Sequence, residues 1–113
     1  MENEVKKFEE YAIKHHESTV EGDWRMGNAQ IKKINTVHKL IKKHGRKAQE
    51  MLLALTDSDR PEVSALAATY CMTFCPEKCI NALKKLSERD IPHISFAAKQ
   101  ALQNWDKKEW DID

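Results

Sequence analysis

Three cysteines, five histidines and a lysine-rich stretch are the side chains of this chain whose chemistry extends beyond packing. Cys71, Cys75 and Cys79 are spaced C-x3-C-x3-C. Thiolates are strong ligands for zinc and iron, but this spacing is not the C-x3-C-x2-C of radical-chemistry iron–sulfur enzymes. Pro76 interrupts the helix before Cys79, and no fourth ligand stands nearby at zinc-site spacing. An odd number of cysteines argues against a closed disulfide framework. Reduced thiols in a core, with no metal, are the expected state, because free cysteine is among the most buried residue types. His15, His16, His38, His44 and His93 are scattered without an H-E-x-x-H pattern, and His38 falls within an apolar stripe as a hydrogen-bonded packing residue. Neither a G-x-S-x-G turn nor a phosphate-cradling glycine loop occurs in a chain with three dispersed glycines. These residues point to no catalytic group and no cofactor, hence to a binding module rather than an enzyme.

The lysines are more informative. The formal net charge is +1, but it is unevenly spread. Residues 1–23 carry three lysines against seven carboxylates, whereas residues 24–49 carry eight basic side chains and no carboxylate. Within that block Lys32, Lys39 and Lys43 are seven and four residues apart, so a helix presents them on one face, flanked by Lys33 and Lys42. Such a face is either a solvated helix surface or an electropositive footprint for an acidic partner or a nucleic acid. Trp24, at the start of the block, reads either as a core plug beside a turn or as an added contact surface. Lys32, Lys39, Lys43 and Trp24 are therefore the candidate partner-binding residues.

Six helices must position these groups. The chain is rich in Ala, Leu, Lys, Glu and Gln, with little Gly or Pro, and shows no strand-like alternation. A first helix is expected from about residue 3 to 20, with Val5, Phe8, Ala12 and Thr19 near one face and Gly22-Asp23 ending it. Asn28 is the expected N-cap of the second, whose apolar stripe is Ile31, Ile34, Val37, Leu40 and Ile41 and whose end is Gly45. A short third helix spans about Ala48 to Leu55. Asp59 is expected to cap the fourth, with Pro61 in its first turn. Pro76 opens the fifth, and Asp90 with Pro92 repeats the earlier cap before the sixth.

A shift of 31 positions aligns the last four helices as two pairs. Leu52 meets Leu83, Leu55 meets Leu86, Asp59 meets Asp90 and Pro61 meets Pro92; Val63 meets Ile94, Ser64 meets Ser95, Ala67 meets Ala98 and Phe74 meets Trp105. The matched positions are the expected caps and the inward face, which a repeated unit must preserve. Each hairpin alone would leave an apolar face bare, and stacking covers it. The run Leu-x-x-Leu-x-acidic-x-Asp-x-Pro-x-Val/Ile, followed by small residues, resembles the HEAT repeat, with Ser64 and Ser95 standing where HEAT helices often carry an arginine that braces neighbours. The implied fold is all-α: a short right-handed HEAT/armadillo-like stack of about three helical hairpins. Its segments are a divergent N-terminal hairpin at 1–46 and repeats at 47–76 and 77–107, within one domain.

Nearly the whole chain also resembles an uncharacterised family of small bacterial HEAT-like proteins. The resemblance rests on Tyr11-Ala12, Gly22-Asp23, Asn28, the stretch Leu52 to Ala68, and Phe96-Ala97-Ala98 through Trp105. Members of that family occur in toxin–immunity gene neighbourhoods, so the resemblance implies an immunity-type protein that neutralises a toxin. The expected partner is a protein, with nucleic acid, as in HEAT-like DNA repair proteins, the alternative. No apolar run reaches the ~20 residues of a membrane span, and the start Met1-Glu2-Asn3-Glu4 lacks the basic-then-apolar order of a signal peptide. Together these imply a cytoplasmic protein without a membrane partner.

Overall fold

A computed structural model describes residues 2–112. They form six helices: α1 (Glu2–Glu21), α2 (Trp24–His44), α3 (Arg46–Leu53), α4 (Pro61–Tyr70), α5 (Pro76–Ser87) and α6 (Ile94–Asp106), with a 3-10 turn at Ala54–Asp57. No strand occurs among the described residues. No helix among them is long and apolar enough to cross a membrane. The chain divides into two compact units, Met1–Ala54 and Leu55–Asp113.

In the first unit α1 packs along α2, and α3 packs on both. Contacts in opposite chain order, Glu4 with His44, Tyr11 with Lys33 and Ser18 beside Gly27, show that α1 and α2 run antiparallel. Their spacing dictates the buried set: Val5, Phe8 and Ala12 from α1, Ile34, Val37 and Ile41 from α2, and Ala48 and Leu52 from α3. On α1 it is Ser18 rather than the expected Thr19 that turns inward, its Oγ–H donating to the His15 carbonyl at 2.6 Å.

The turn between α1 and α2 is tighter than the sequence suggests. Gly22 takes φ 74°, and the amides of Gly22 and Asp23 donate back to the carbonyls of Thr19 and Ser18, closing α1. Asp23 then begins α2 at once, its carboxylate accepting from the Met26 amide at 3.1 Å. Asn28 is therefore not the N-cap. The expectation failed because Gly27-Asn28 looks like a breaker followed by a cap. Gly27 instead lies inside the helix, where a β-carbon would stand 3.2 Å from Ser18 Oγ. It costs helix propensity but lets the two helices approach.

In the second unit α5 packs on both α4 and α6, and α4 also meets α6. The buried residues are Val63, Ala67, Ala68 and Tyr70 of α4, Cys79, Leu83 and Leu86 of α5, and Ile94, Ala98 and Ala101 of α6. Pro61 and Pro76 occupy first helical turns, where a missing N–H costs nothing. Helix α4 ends at Tyr70, before Pro76, and a turn at Cys71–Phe74 joins it to α5.

The expected caps Asp59 and Asp90 do not cap. Helix α4 starts after Arg60, whose amide donates to Ser58 Oγ at 3.2 Å. Asp90 sits at φ 57°, outside the extended conformation of an N-cap, and α6 begins only at Ile94 after His93 at φ 67°. Two buried serines tie the helix entries instead. The Ser64 hydroxyl donates to the Thr56 carbonyl at 2.7 Å, and the Ser95 hydroxyl donates to the Leu86 carbonyl at 2.7 Å while accepting from the Ile91 amide. The C-terminal segment folds back within this unit: Thr73 Oγ1 donates to the Ile112 carbonyl at 3.0 Å, and Trp110 meets Trp105 edge-on with centroids 5.5 Å apart.

Candidate functional site

Helix α2 carries the lysines. Its inner face is closed by Ile34, Val37, His38 and Ile41, all buried, so the 3.6-residue period turns Lys32, Lys39 and Lys43 outward, and all three are exposed. At 1.5 Å of rise per residue they are spaced about 10 Å and about 6 Å along the axis. Lys42, Lys43 and His44 lie in the last turn, where cations complement the helix's negative end.

The carboxylates of α1 leave this face alone. Among the described residues neither Lys32, Lys39 and Lys43 nor their neighbours Lys33 and Lys42 form an ion pair. A carboxylate of α1 does meet the basic segment at the far end of the hairpin, where Glu4 lies 3.4 Å from His44. Glu4 is held below the usual carboxylate range, first by a hydrogen bond with its own backbone.

Trp24 is 69% exposed, so it is not a core plug. The Arg25 guanidinium lies 5.4 Å from its ring centroid, a cation–π pair at the tip of the hairpin. Eight residues separate Trp24 from Lys32, about 12 Å along α2. At 3.6 residues per turn the same step rotates Trp24 roughly 80° from Lys32, off the helix face that the three lysines share.

Residues that the spacing of α2 did not reveal complete the surface. Lys7 and Tyr11, one turn apart on α1, join Lys32, Lys33, Thr36, Val37 and Leu40 in lining a shallow groove of about 290 Å³. The Lys33 ammonium lies 5.6 Å from the Tyr11 ring centroid. The signal for Lys7 and Tyr11 was their i, i+4 spacing on α1; only the antiparallel register showed which part of α2 they meet.

The other chemistry-bearing residues are placed differently. Cys71 and Cys79 are buried at the α4–α5 junction and Cys75 is half-buried between them. Burial, reinforced by the neighbouring thiols, pushes Cys71 and Cys79 up to about 12, which keeps both protonated at neutral pH. Among the described residues no three His, Cys, Asp or Glu side chains group to hold a metal ion. His38 is buried, and burial together with the His16 charge holds His15 below its ordinary value. A larger cleft of about 560 Å³ in the second unit carries Lys78, Lys85 and Arg89 but also Asp57 and Glu77, and Lys78 is paired with Asp57 at 3.0 Å. Its mixed charge selects no class of ligand. Comparison with family models, curated proteins and solved structures gave no match.

Proposed function

We propose that this chain is a non-enzymatic protein-binding module that engages an acidic protein partner through the outer face of α2. One observation carries the reading: Lys32, Lys39 and Lys43 stand exposed in a row, without a carboxylate partner among the described residues. Unneutralised charge of one sign raises the local concentration of an oppositely charged partner and speeds its approach. Leu40, 43% exposed beside the row, favours a protein over a nucleic acid, because a phosphate backbone has nothing apolar to bury against it.

The HEAT-like repeat reading belongs to the same proposal. Five pairs of positions 31 residues apart are buried together, and they support it: Ala48 with Cys79, Leu52 with Leu83, Val63 with Ile94, Ser64 with Ser95 and Ala67 with Ala98. The immunity-type role, neutralisation of a toxin in the cytoplasm, is supported by the family resemblance alone.

The test starts from the immobilised protein, challenged with the product of the neighbouring gene. Affinity and melting temperature are then measured for the native chain and for the Lys32→Glu, Lys39→Glu, Lys43→Glu variant. The expected result is a loss of binding of about tenfold or more with an unchanged melting temperature. Equal affinity in the folded variant would move the interface to another face. Tighter binding to duplex DNA than to protein, lost in the same variant, would replace the protein partner with a nucleic acid.

A further inference from the structure

The groove between α1 and α2 defines the partner's chemistry more narrowly than the lysine row does. Its lining holds three lysines, Lys7, Lys32 and Lys33, and no carboxylate. Among the described residues none of the three is ion-paired. Its apolar part is Val37, Leu40 and the ring of Tyr11, with Leu40 still 43% exposed. Positive charge on both walls and uncovered apolar surface between them is an arrangement that neither water nor a simple anion satisfies.

We infer that this groove is the docking site of an acidic amphipathic peptide segment of the partner, which places an apolar side chain against Val37, Leu40 and Tyr11 and carboxylates against Lys7, Lys32 and Lys33. The inference rests on the protein-binding reading and names the segment that reading requires. Charge complementarity sets the sign of the occupant, since every side chain in the lining that is charged at neutral pH is a lysine. The apolar strip sets its amphipathic character, in the manner of a helix or extended strand laid into a groove. The Lys33–Tyr11 contact holds one ammonium at the groove wall before binding, so less side-chain freedom is lost when a carboxylate arrives. Lys39 and Lys43 continue the row beyond the groove and extend the contact to a longer acidic partner.

The probe is a short fluorescein-labelled peptide of glutamates around a central pair of leucines, read by fluorescence anisotropy. An all-glutamate peptide and a DNA oligonucleotide serve as comparisons. The leucine-bearing peptide should bind about tenfold more tightly than the all-glutamate one, the yield of burying one aliphatic side chain. Lys7→Glu, which leaves α2 untouched, should weaken it by about tenfold or more, and Leu40→Ser should remove the advantage of the leucines. Lys39→Glu with Lys43→Glu, outside the groove, should cost this short peptide about fivefold or less. All these side chains except Val37 and Tyr11 are exposed, so circular dichroism melts should match the native chain.

If Lys7→Glu binds like the native chain while the Lys39, Lys43 variant loses binding, the groove assignment falls and the α2 surface stands. If DNA binds and neither peptide does, the peptide reading is overturned in favour of nucleic acid. If no probe binds, the groove assignment falls, and the neighbouring-gene assay decides the α2 surface by itself.

Discussion

Ser64 and Ser95 are each a buried hydroxyl that latches the carbonyl of a preceding segment. A buried hydrogen bond is worth about 1 kcal/mol net, and losing it from a desolvated site costs about 1–3 kcal/mol. Ser64→Ala should therefore destabilise the protein by about 1 kcal/mol. Ser95→Ala should cost more, because Ser95 also accepts from Ile91 at 2.7 Å and holds the entry to α6. Urea unfolding of both variants checks the order; equal losses would show that the second bond adds nothing. The thiols make a prediction about pH. Cys71 and Cys79 rise from 9.0 to about 12 on folding, so the folded chain holds these protons more tightly than the unfolded one. Their contribution is complete below about pH 9 and is lost as pH rises towards 12, with Tyr70, raised by burial from 10.0 to about 12, adding to the loss. Stability measured by urea midpoint should decline across that alkaline window, and Cys71→Ala with Cys79→Ala should make the decline shallower.

At the scale of elements, the α1–α2 hairpin positions the whole candidate surface, and its register depends on Gly27. A β-carbon there would meet Ser18 Oγ at 3.2 Å and His15 Cδ2 at 3.9 Å. Ser18 has little room to yield, since its hydroxyl is held to the His15 carbonyl. Gly27→Val should force the helices apart and cost about 1–3 kcal/mol, the usual penalty of overpacking. The same shift would move Lys7 and Tyr11 relative to Lys32 and Lys33, so binding of the acidic peptide should weaken along with the melting temperature. A Gly27→Val variant with native stability would show that the close approach is dispensable. The Trp24–Arg25 pair lies at the tip of this hairpin, away from the groove, and no binding role follows from its position.

At the scale of the whole molecule, charge is divided between the two units. Met1–Ala54 holds eleven basic and eight acidic side chains, a net of +3; Leu55–Asp113 holds eight basic and ten acidic, a net of −2. On the proposed reading the first unit is the one that would attract an acidic partner. Screening shortens to about 8 Å at physiological ionic strength, comparable to the spacing of the lysines along α2. Affinity for an acidic partner should fall as salt rises, and the Lys32→Glu, Lys39→Glu, Lys43→Glu variant should lose that dependence. Its stability should stay within about 0.5 kcal/mol of the native chain, as is usual for exposed positions. Binding indifferent to salt would mean that apolar contact, not the lysine row, provides the affinity.

The sequence by itself determined the six helices, the proline starts of α4 and α5, the inward Ile34, Val37 and Ile41 of α2, though not Leu40, which is 43% exposed, and the outward row of Lys32, Lys39 and Lys43. All of these follow from the 3.6-residue period and from the local chemistry of proline, which act within a single helix. Tertiary structure decided the rest. Gly27 reads locally as a helix breaker, and only the neighbouring α1 makes a glycine inside α2 useful. Asp59 and Asp90 read locally as caps, but the turns before α4 and α6 place them elsewhere, and Ser64 and Ser95 reach back to carbonyls eight and nine residues earlier. Whether the acids of α1 neutralised the lysines of α2 could not be read from either helix, because it depends on their rotation and register; the antiparallel packing pairs Glu4 with His44 and leaves the lysine row uncovered. Lys7 and Tyr11 joined that row for the same reason: a groove is a property of two helices, and neither one encodes it alone.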